Sequence, residues 1–163
     1  MKIGILSDTH NQLTNFEKAL TLFRREGVTL VVHCGDLSAP ETAGAMHGFQ
    51  VIHVCGNQDT ANGQIRQVLL DMNPKNFSGM TFEGEVGGMK IAVTHGNQHL
   101  KLRELISSGK FDYIFCGHTH RRSNEKIGST RVINPGALGG LSVEERSVYI
   151  LNLESGEGEV RFI

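Results

Sequence analysis

Aspartate, asparagine and histidine recur directly after short apolar runs of the sequence, often beside a glycine. Five runs end in this way, and the polar residues that follow them are Asp8 and His10, Asp36, Asn57, His95, and His118 with His120. Carboxylate, amide and imidazole groups bind divalent metals, and imidazole favours Mn, Fe, Zn, Co or Ni over Mg or Ca. Seven ligands are too many for one small ion and suit two ions that share a carboxylate. The pattern therefore predicts a two-metal site.

The elements that must position these residues are apolar strands that alternate with amphipathic helices. The hydrophobic pattern predicts helices at 11–26, 39–46, 64–70 and 100–108, and strands at 2–6, 29–33, 50–54, 81–86, 89–93, 112–116, 130–133, 147–153 and 159–163. This alternation is typical of βαβ units with a parallel sheet, whose ligands bind at the carboxyl ends of the strands. We expect residues 1–163 to form a single α/β domain, with two sheets face to face and helices outside.

Composition excludes several classes of protein. The chain has 163 residues, 39% of them hydrophobic and 20% charged, which is typical of one globular domain and not of a disordered chain. A formal net charge of -1 provides no general attraction for nucleic acid or for an anionic membrane. Apolar runs are much shorter than the roughly 20 residues of a membrane helix, and no signal peptide is recognisable, so we expect a cytoplasmic protein. Three cysteines without a C-x-x-C pair argue against a disulfide framework and a cysteine zinc site.

The polar segments together resemble the motif series of a known family. They are Asp8-x-His10, Gly35-Asp36, Gly56-Asn57-x-Asp59, His95-Gly96 and Gly117-His118-x-His120, followed by Asn134-Pro135-Gly136. This series, over about residues 1–137, resembles the calcineurin-like metallophosphoesterases, and the size of the chain resembles their small phosphodiesterase branch. The resemblance implies a double β-sheet sandwich flanked by helices, which makes four layers in the order α/β/β/α.

The resemblance also implies a role for each ligand. One ion would be held by Asp8, His10 and His120, a second by Asn57, His95 and His118, and both by Asp36. It implies a metal-dependent phosphodiesterase in which a hydroxide bridging the two metals attacks the phosphorus of a phosphate ester, with Asp36, Asn57 and His95 acting through that hydroxide. Mn²⁺ is the expected ion, and Ni²⁺, Fe²⁺, Zn²⁺ and Co²⁺ are alternatives.

The chain departs from the family pattern beside the motifs. Gln58 stands where the family usually has a histidine that protonates the leaving group, and a glutamine cannot supply that proton. We expect Gln58 either to contact the substrate or to act as a spacer. Because the proton donor is missing, hydrolysis should be slowed least for esters with good leaving groups. Asn97 replaces a second family histidine, and His99 follows.

Several residues near the motifs are candidates for supporting roles. Asp59 is expected to orient a ligand histidine, with metal binding as the alternative. Asn97, His99 and Arg121 are candidates for contacts with the substrate phosphate, and the alternative for each is an exposed position without a function.

Three alternatives to a phosphodiesterase remain at this stage. A phosphomonoesterase would use the same ligands. A nuclease would need a basic groove, which the charge balance does not indicate. A catalytically weak scaffold of the same fold, like the retromer small subunit, would have a degraded metal site, whereas every histidine ligand position is filled here. We therefore expect a small phosphate ester as substrate, with neither nucleic acid nor a membrane as partner, and we leave a homo-oligomer open.

Overall fold

Two mixed β-sheets lie face to face in the computed structural model, which describes residues 1–142 and 144–163. The strands are β1 (Lys2–Leu6), β2 (Leu30–His33), β3 (Gln50–Val54), β4 (Phe77–Gly79), β5 (Thr81–Val86), β6 (Met89–Thr94), β7 (Tyr113–Phe115), β8 (Ser123–Ile127), β9 (Thr130–Asn134), β10 (Ser147–Asn152) and β11 (Gly158–Phe162). The helices are α1 (Leu13–Arg25), α2 (Pro40–Gly44), α3 (Asn62–Met72) and α4 (His99–Ser107). Among the described residues, no helix is both long and apolar enough to cross a membrane.

Each sheet combines parallel strands with antiparallel ones, which lie at one edge of the first sheet and at both edges of the second. The first sheet has the order β11-β10-β1-β2-β3-β4, and the second has the order β5-β6-β7-β9-β8. In the first sheet β1, β2, β3 and β4 run parallel, and in the second β6, β7 and β9 do so. The parallel strands of one sheet therefore end at a common edge, as the alternating sequence pattern predicts.

The main core fills the space between the sheets, and helices cover their outer faces. Apolar side chains from β1, β2 and β3 meet those of β6, β7 and β9 in one buried cluster. A second cluster packs α1, α2 and α3 on the outer face of the first sheet, and a third packs α4 on the second sheet. This confirms the predicted four-layer α/β/β/α fold.

Two strands were not predicted from the sequence, and both lie at a sheet edge. β4 has only three residues, and β8 consists mostly of exposed polar residues, so neither has the apolar pattern of a buried strand. Their backbone pairing with β3 and β9 defines them instead. The predicted helix ends differ from the observed ones by one or two residues.

A close approach between α1 and β1 depends on a residue without a side chain. A Cβ atom at Gly4 would lie 2.6 Å from the ring of Phe23, which is fully buried. Because backbone and ring are both held by the packed layers, we expect Gly4→Ala to lower the free energy of unfolding by about 1–3 kcal/mol. Gly63 in α3 has open space around it, so Gly63→Ala should instead raise that energy by about 0.4–1 kcal/mol. Urea unfolding measures both, and equal stability of the two variants would contradict the packing argument.

Candidate metal centre

The structure brings the predicted ligands to one edge of the two sheets. Asp8 and His10 follow β1, Asp36 follows β2 and Asn57 follows β3, while His95 follows β6 and His118 and His120 follow β7. Backbone hydrogen bonds join these loops: the N–H of Asp8 donates to Gly35 and that of His10 to Asp36, each at 2.9 Å. In the second sheet the N–H of Gly117 donates to His95 at 3.0 Å. Within each sheet, these bonds thus join neighbouring loops at the strand ends.

Most of these residues have an unusual backbone conformation. The φ angle lies in the left-handed region, between 45° and 70°, at Asp8, His10, Asp36, His118 and His120. Each such residue costs on the order of 1–3 kcal/mol, and such strain is concentrated at functional sites. The surrounding backbone hydrogen bonds must therefore hold these turns against their intrinsic preference.

One group of potential ligands consists of Asp8, His10 and His120, whose ligand atoms lie within 4.8 Å of one another. Asp8 Oδ1 is 3.3 Å from His120 Nε2 and 3.9 Å from His10 Nε2. The two imidazole Nε2 atoms are 3.2 Å apart. These three side chains could hold one metal ion.

A second group adjoins the first and consists of Asp8, Asp36 and His95. His95 Nε2 is 3.4 Å from Asp36 Oδ2 and 3.1 Å from Asn57 Oδ1. Asp36 Oδ2 is also 3.7 Å from His10 Nε2, so this carboxylate lies between the two groups. The ring of His118 is 5.0 Å from that of His95, measured between centroids. These residues could hold a second ion that shares Asp36 with the first.

Two backbone carbonyls determine which imidazole nitrogen can bind a metal. His95 Nδ1 bonds the carbonyl of Cys34 at 2.7 Å, and His120 Nδ1 bonds the carbonyl of Leu141. A carbonyl only accepts, so both Nδ1 atoms carry hydrogen and the neutral rings present the lone pair of Nε2 to the carboxylates. When the rings are neutral, lone pairs of nitrogen and oxygen therefore face one another in both groups, an arrangement that a cation stabilises.

Asp8 provides a separate indication that the site fits a cation. Its side chain is 0% exposed, yet among the described residues Oδ1 has no hydrogen-bond donor. A buried carboxylate oxygen without a partner is costly, and the atoms beside it are imidazole nitrogens. The mixed oxygen and nitrogen set fits divalent transition metals.

The protonation of the site is consistent with metal binding. Burial alone would raise the pKa of Asp36, but hydrogen bonds from the His95 side chain and the Gln58 N–H lower it below its usual value. Burial would lower the pKa of His95, but its bonds with Asp36 and the Cys34 carbonyl raise it. Burial and the neighbouring His95 lower the pKa of His118. Because a metal binds Nε2 without a proton, metal binding at His95 would compete with the protonation that Asp36 favours.

Comparison with known proteins identifies the family of the chain. The family model of the calcineurin-like phosphoesterase superfamily domain matches residues 1–156. The chain belongs to this superfamily. It is 35% identical over 159 residues to a phosphodiesterase of Methanocaldococcus jannaschii, with 96% of each protein covered. The solved structure of an archaeal phosphodiesterase superposes with a TM-score of 0.95 at 33% identity, covering 100% of both chains.

Other members of the fold differ more. The Zn²⁺ complex of Vps29 from Entamoeba histolytica superposes with a TM-score of 0.72, covering 100% of this chain and 98% of that one. Its sequence identity is 18%, so the likeness is one of fold alone. This likeness therefore does not show metal binding by the present chain. Divalent-metal binding is supported instead by the two ligand groups described above.

Asp59 holds the backbone of this phosphoesterase site. Its buried carboxylate accepts the N–H groups of Ser38, Gly56 and Asp36 at 2.6, 2.8 and 3.0 Å. Its nearest histidine is His53, with Nε2 at 3.7 Å, and His53 is outside the predicted ligand set. Burial opposes ionisation, but the nearby His53 imidazole and the hydrogen bonds from the backbone hold the pKa of Asp59 well below its usual value. Asp59 thus joins the loops after β2 and β3. This role differs from the one predicted from the sequence, in which Asp59 orients a ligand histidine.

The other predicted residues lie close to the ligands in space or in sequence, and all are exposed or half-buried. Gln58 is exposed and donates its backbone N–H to Asp36 Oδ1 at 2.8 Å. Asn97 is half-buried, and the exposed His99 begins α4 with its ring 6.3 Å from that of His118. Arg121 is exposed directly after His120.

Sequence reasoning missed one segment of the site, residues 139–141. Gly140 has a φ of +64°, and a Cβ atom there would lie 2.7 Å from His10 and 2.8 Å from His120. The next residue, Leu141, accepts the hydrogen bond of His120 Nδ1. The adjacent glycines 139 and 140 were the only sequence signal of this close approach.

The role of Asp59 predicts an effect on metal affinity. In Asp59→Asn one acceptor oxygen is replaced by a donor, so at least one of the three N–H bonds that fix the loops of Asp36 and Asn57 is lost. We expect Mn²⁺ affinity to fall by about 10- to 100-fold, as for other partners of ligand-bearing groups. Isothermal titration measures this, with Asp71→Asn on the exposed face of α3 as the matched control. Equal affinity in the two variants would contradict the positioning role.

Proposed function

We propose that this protein is a phosphodiesterase that hydrolyses small phosphate esters with two divalent metal ions. The observation that carries the proposal is the pair of adjoining ligand groups, in which buried carboxylates face imidazole lone pairs and Asp36 lies between both. The identity to an archaeal phosphodiesterase over nearly the whole chain supports the same activity. We also propose that residues 1–163 form one domain, because the cluster between the sheets contains side chains from both halves of the chain.

Seven residues would hold the two ions. Asp8, His10 and His120 would bind the first, Asn57, His95 and His118 the second, and Asp36 both. Mn²⁺ is the ion we favour, with Ni²⁺, Fe²⁺, Zn²⁺ and Co²⁺ as alternatives, because nitrogen ligands disfavour Mg²⁺ and Ca²⁺. When bound, such ions lower the pKa of water towards about 7 and offset charge on the phosphoryl oxygens.

The protein's own residues fix the geometry in advance. Asp36 Oδ1 is held by the Gln58 N–H, which leaves Oδ2 directed between His10 and His95. The Cys34 and Leu141 carbonyls hold the rings of His95 and His120 in the tautomer that binds metal. Because these bonds exist before the substrate arrives, little reorganisation is needed during the reaction.

The surface of the site suits a small substrate. Gln58, His99 and Arg121 are exposed and lie near the ligands, so they could donate hydrogen bonds to phosphate oxygens or to the ester groups. The amide of Gln58 has no proton to give to a leaving group, so the enzyme should favour esters whose alcohol is already acidic. A scaffold function of the kind expected for a degraded site is disfavoured, because all seven ligand positions are filled.

Metal restoration tests the proposed activity. Protein stripped with a chelator should hydrolyse bis(4-nitrophenyl) phosphate only after Mn²⁺ or another transition metal is returned, and faster than it hydrolyses 4-nitrophenyl phosphate. Asp36→Asn should reduce this hydrolysis by more than about 10³-fold, because a bridging carboxylate serves both ions. Asp112→Asn, at an exposed position before β7, is the control and should retain full activity. No hydrolysis of either ester with any of the five metals would overturn the proposal.

The absence of a proton donor at position 58 gives a second prediction. Gln58→His should raise kcat about tenfold or more on phosphodiesters with poor leaving groups, such as methyl phenyl phosphate, because the imidazole can protonate the departing oxygen. Turnover of bis(4-nitrophenyl) phosphate should change much less. Gln67→His on the exposed face of α3 controls for the added histidine. The same increase on both esters would contradict the missing-acid argument.

A further inference from the structure

A cavity of about 370 Å³ adjoins the first ligand group. It is lined by Thr119, His120, Arg121, Leu141 and Ser142. His120 belongs both to this cavity and to the group with Asp8 and His10. A group held in the cavity would therefore lie beside whatever binds at the metal site.

The walls of the cavity are built from two segments that are tied together. His120 Nδ1 bonds the carbonyl of Leu141, and the hydroxyl of Ser142 donates to the carbonyl of His120 at 3.3 Å. The guanidinium of Arg146 donates to the carbonyls of Gly139 and Gly140 at 2.6 and 2.7 Å. The loop that carries Leu141 is thus held by hydrogen bonds on both sides of that residue.

Leu141 is the most exposed large apolar residue of those described, at 95%. Its backbone is held against His120, yet its side chain contributes almost nothing to the core. When an apolar surface covers a leucine that a fixed loop exposes to water, the free energy of the system falls. Because it lines a cavity beside the metal ligands, a substrate can supply that surface.

Arg121 provides a cation at the same place. Across residues 1–142 and 144–163, its guanidinium forms no ion pair, whereas the neighbouring Arg122 pairs with Glu144. A guanidinium stacks on planar aromatic rings and also attracts anions. The combination of one apolar side chain and one free guanidinium fits an aromatic group attached to a negatively charged phosphate.

We infer that this cavity is the subsite for a planar aromatic ester group of a phosphodiester substrate. The inference rests on the proposed function and specifies its substrate class. A phosphodiester with an aromatic substituent would place its phosphate at the metal ligands and its ring between Leu141 and Arg121. The aromatic group is either a simple aryl ester or a nucleobase, since both present a flat apolar face.

Competitive inhibition tests the subsite without depending on which ester bond breaks. Diphenyl phosphate and dimethyl phosphate carry the same charge and differ in aromatic surface. With the Mn²⁺-loaded protein and bis(4-nitrophenyl) phosphate as substrate, diphenyl phosphate should inhibit more strongly. Leu141→Ser should raise its inhibition constant about fivefold or more and leave that of dimethyl phosphate unchanged. Leu141→Met, which keeps an apolar side chain, should stay within about twofold of the wild-type protein.

The matched control is Ile127→Ser, which removes an exposed apolar side chain at the end of β8. It should leave both inhibition constants unchanged.

The methyl ester of uridine 5′-monophosphate distinguishes the source of the ring. Weaker inhibition by this ester in Leu141→Ser extends the subsite to nucleobases, and no change restricts it to aryl esters. If Leu141→Ser changes the inhibition constant of neither diphenyl phosphate nor dimethyl phosphate, or changes both equally, the proposed subsite is wrong even though hydrolysis persists. If no metal restores hydrolysis in the wild-type protein, the proposed function fails and the subsite with it.

Discussion

Lone pairs that face one another in a buried space require a cation between them, and this requirement governs the centre of the molecule. The Cys34 and Leu141 carbonyls keep hydrogen on Nδ1 of His95 and His120, so that both rings present Nε2 to carboxylates. Asp8 Oδ1 lies among these atoms without a hydrogen-bond donor from the described residues. Burial lowers the pKa of His95, but its bonds with Asp36 and the Cys34 carbonyl raise it, so that a proton there would supply part of the opposing charge. Divalent ions can supply all of it, which explains why strongly polar groups are tolerated at this depth.

The fold brings these groups together at an energetic cost. Left-handed turns after β1, β2 and β7 are disfavoured for residues with side chains, and five candidate ligands adopt them. Hydrogen bonds between neighbouring loops, and the three N–H groups that Asp59 accepts, hold the turns in place. The large core between the two sheets supplies the stability that this strained layer lacks. Stability and chemistry are thus separated: the strands provide the first and the loops at their ends the second.

The sequence predicts the fold and the candidate ligands because both depend on local patterns. Apolar runs that end in Asp, Asn or His predict strands whose ends meet, and the structure brings all seven residues to one edge. The orientation of those residues was not predictable in the same way. The bond from His120 to Leu141 joins positions 21 residues apart, and Asp59 acts on backbone N–H groups that have no residue-specific signature. The edge strand β8 was missed for a similar reason, since backbone pairing with β9 defines it.

Metal stoichiometry tests most directly whether the protein holds two metal ions at once. Protein dialysed against excess Mn²⁺ and then freed of unbound ion should retain two Mn²⁺ per chain by inductively coupled plasma mass spectrometry. His95→Ala, which removes a ligand of the second group only, should retain one. A single ion per wild-type chain at saturating Mn²⁺, or an undiminished two in His95→Ala, would contradict the account.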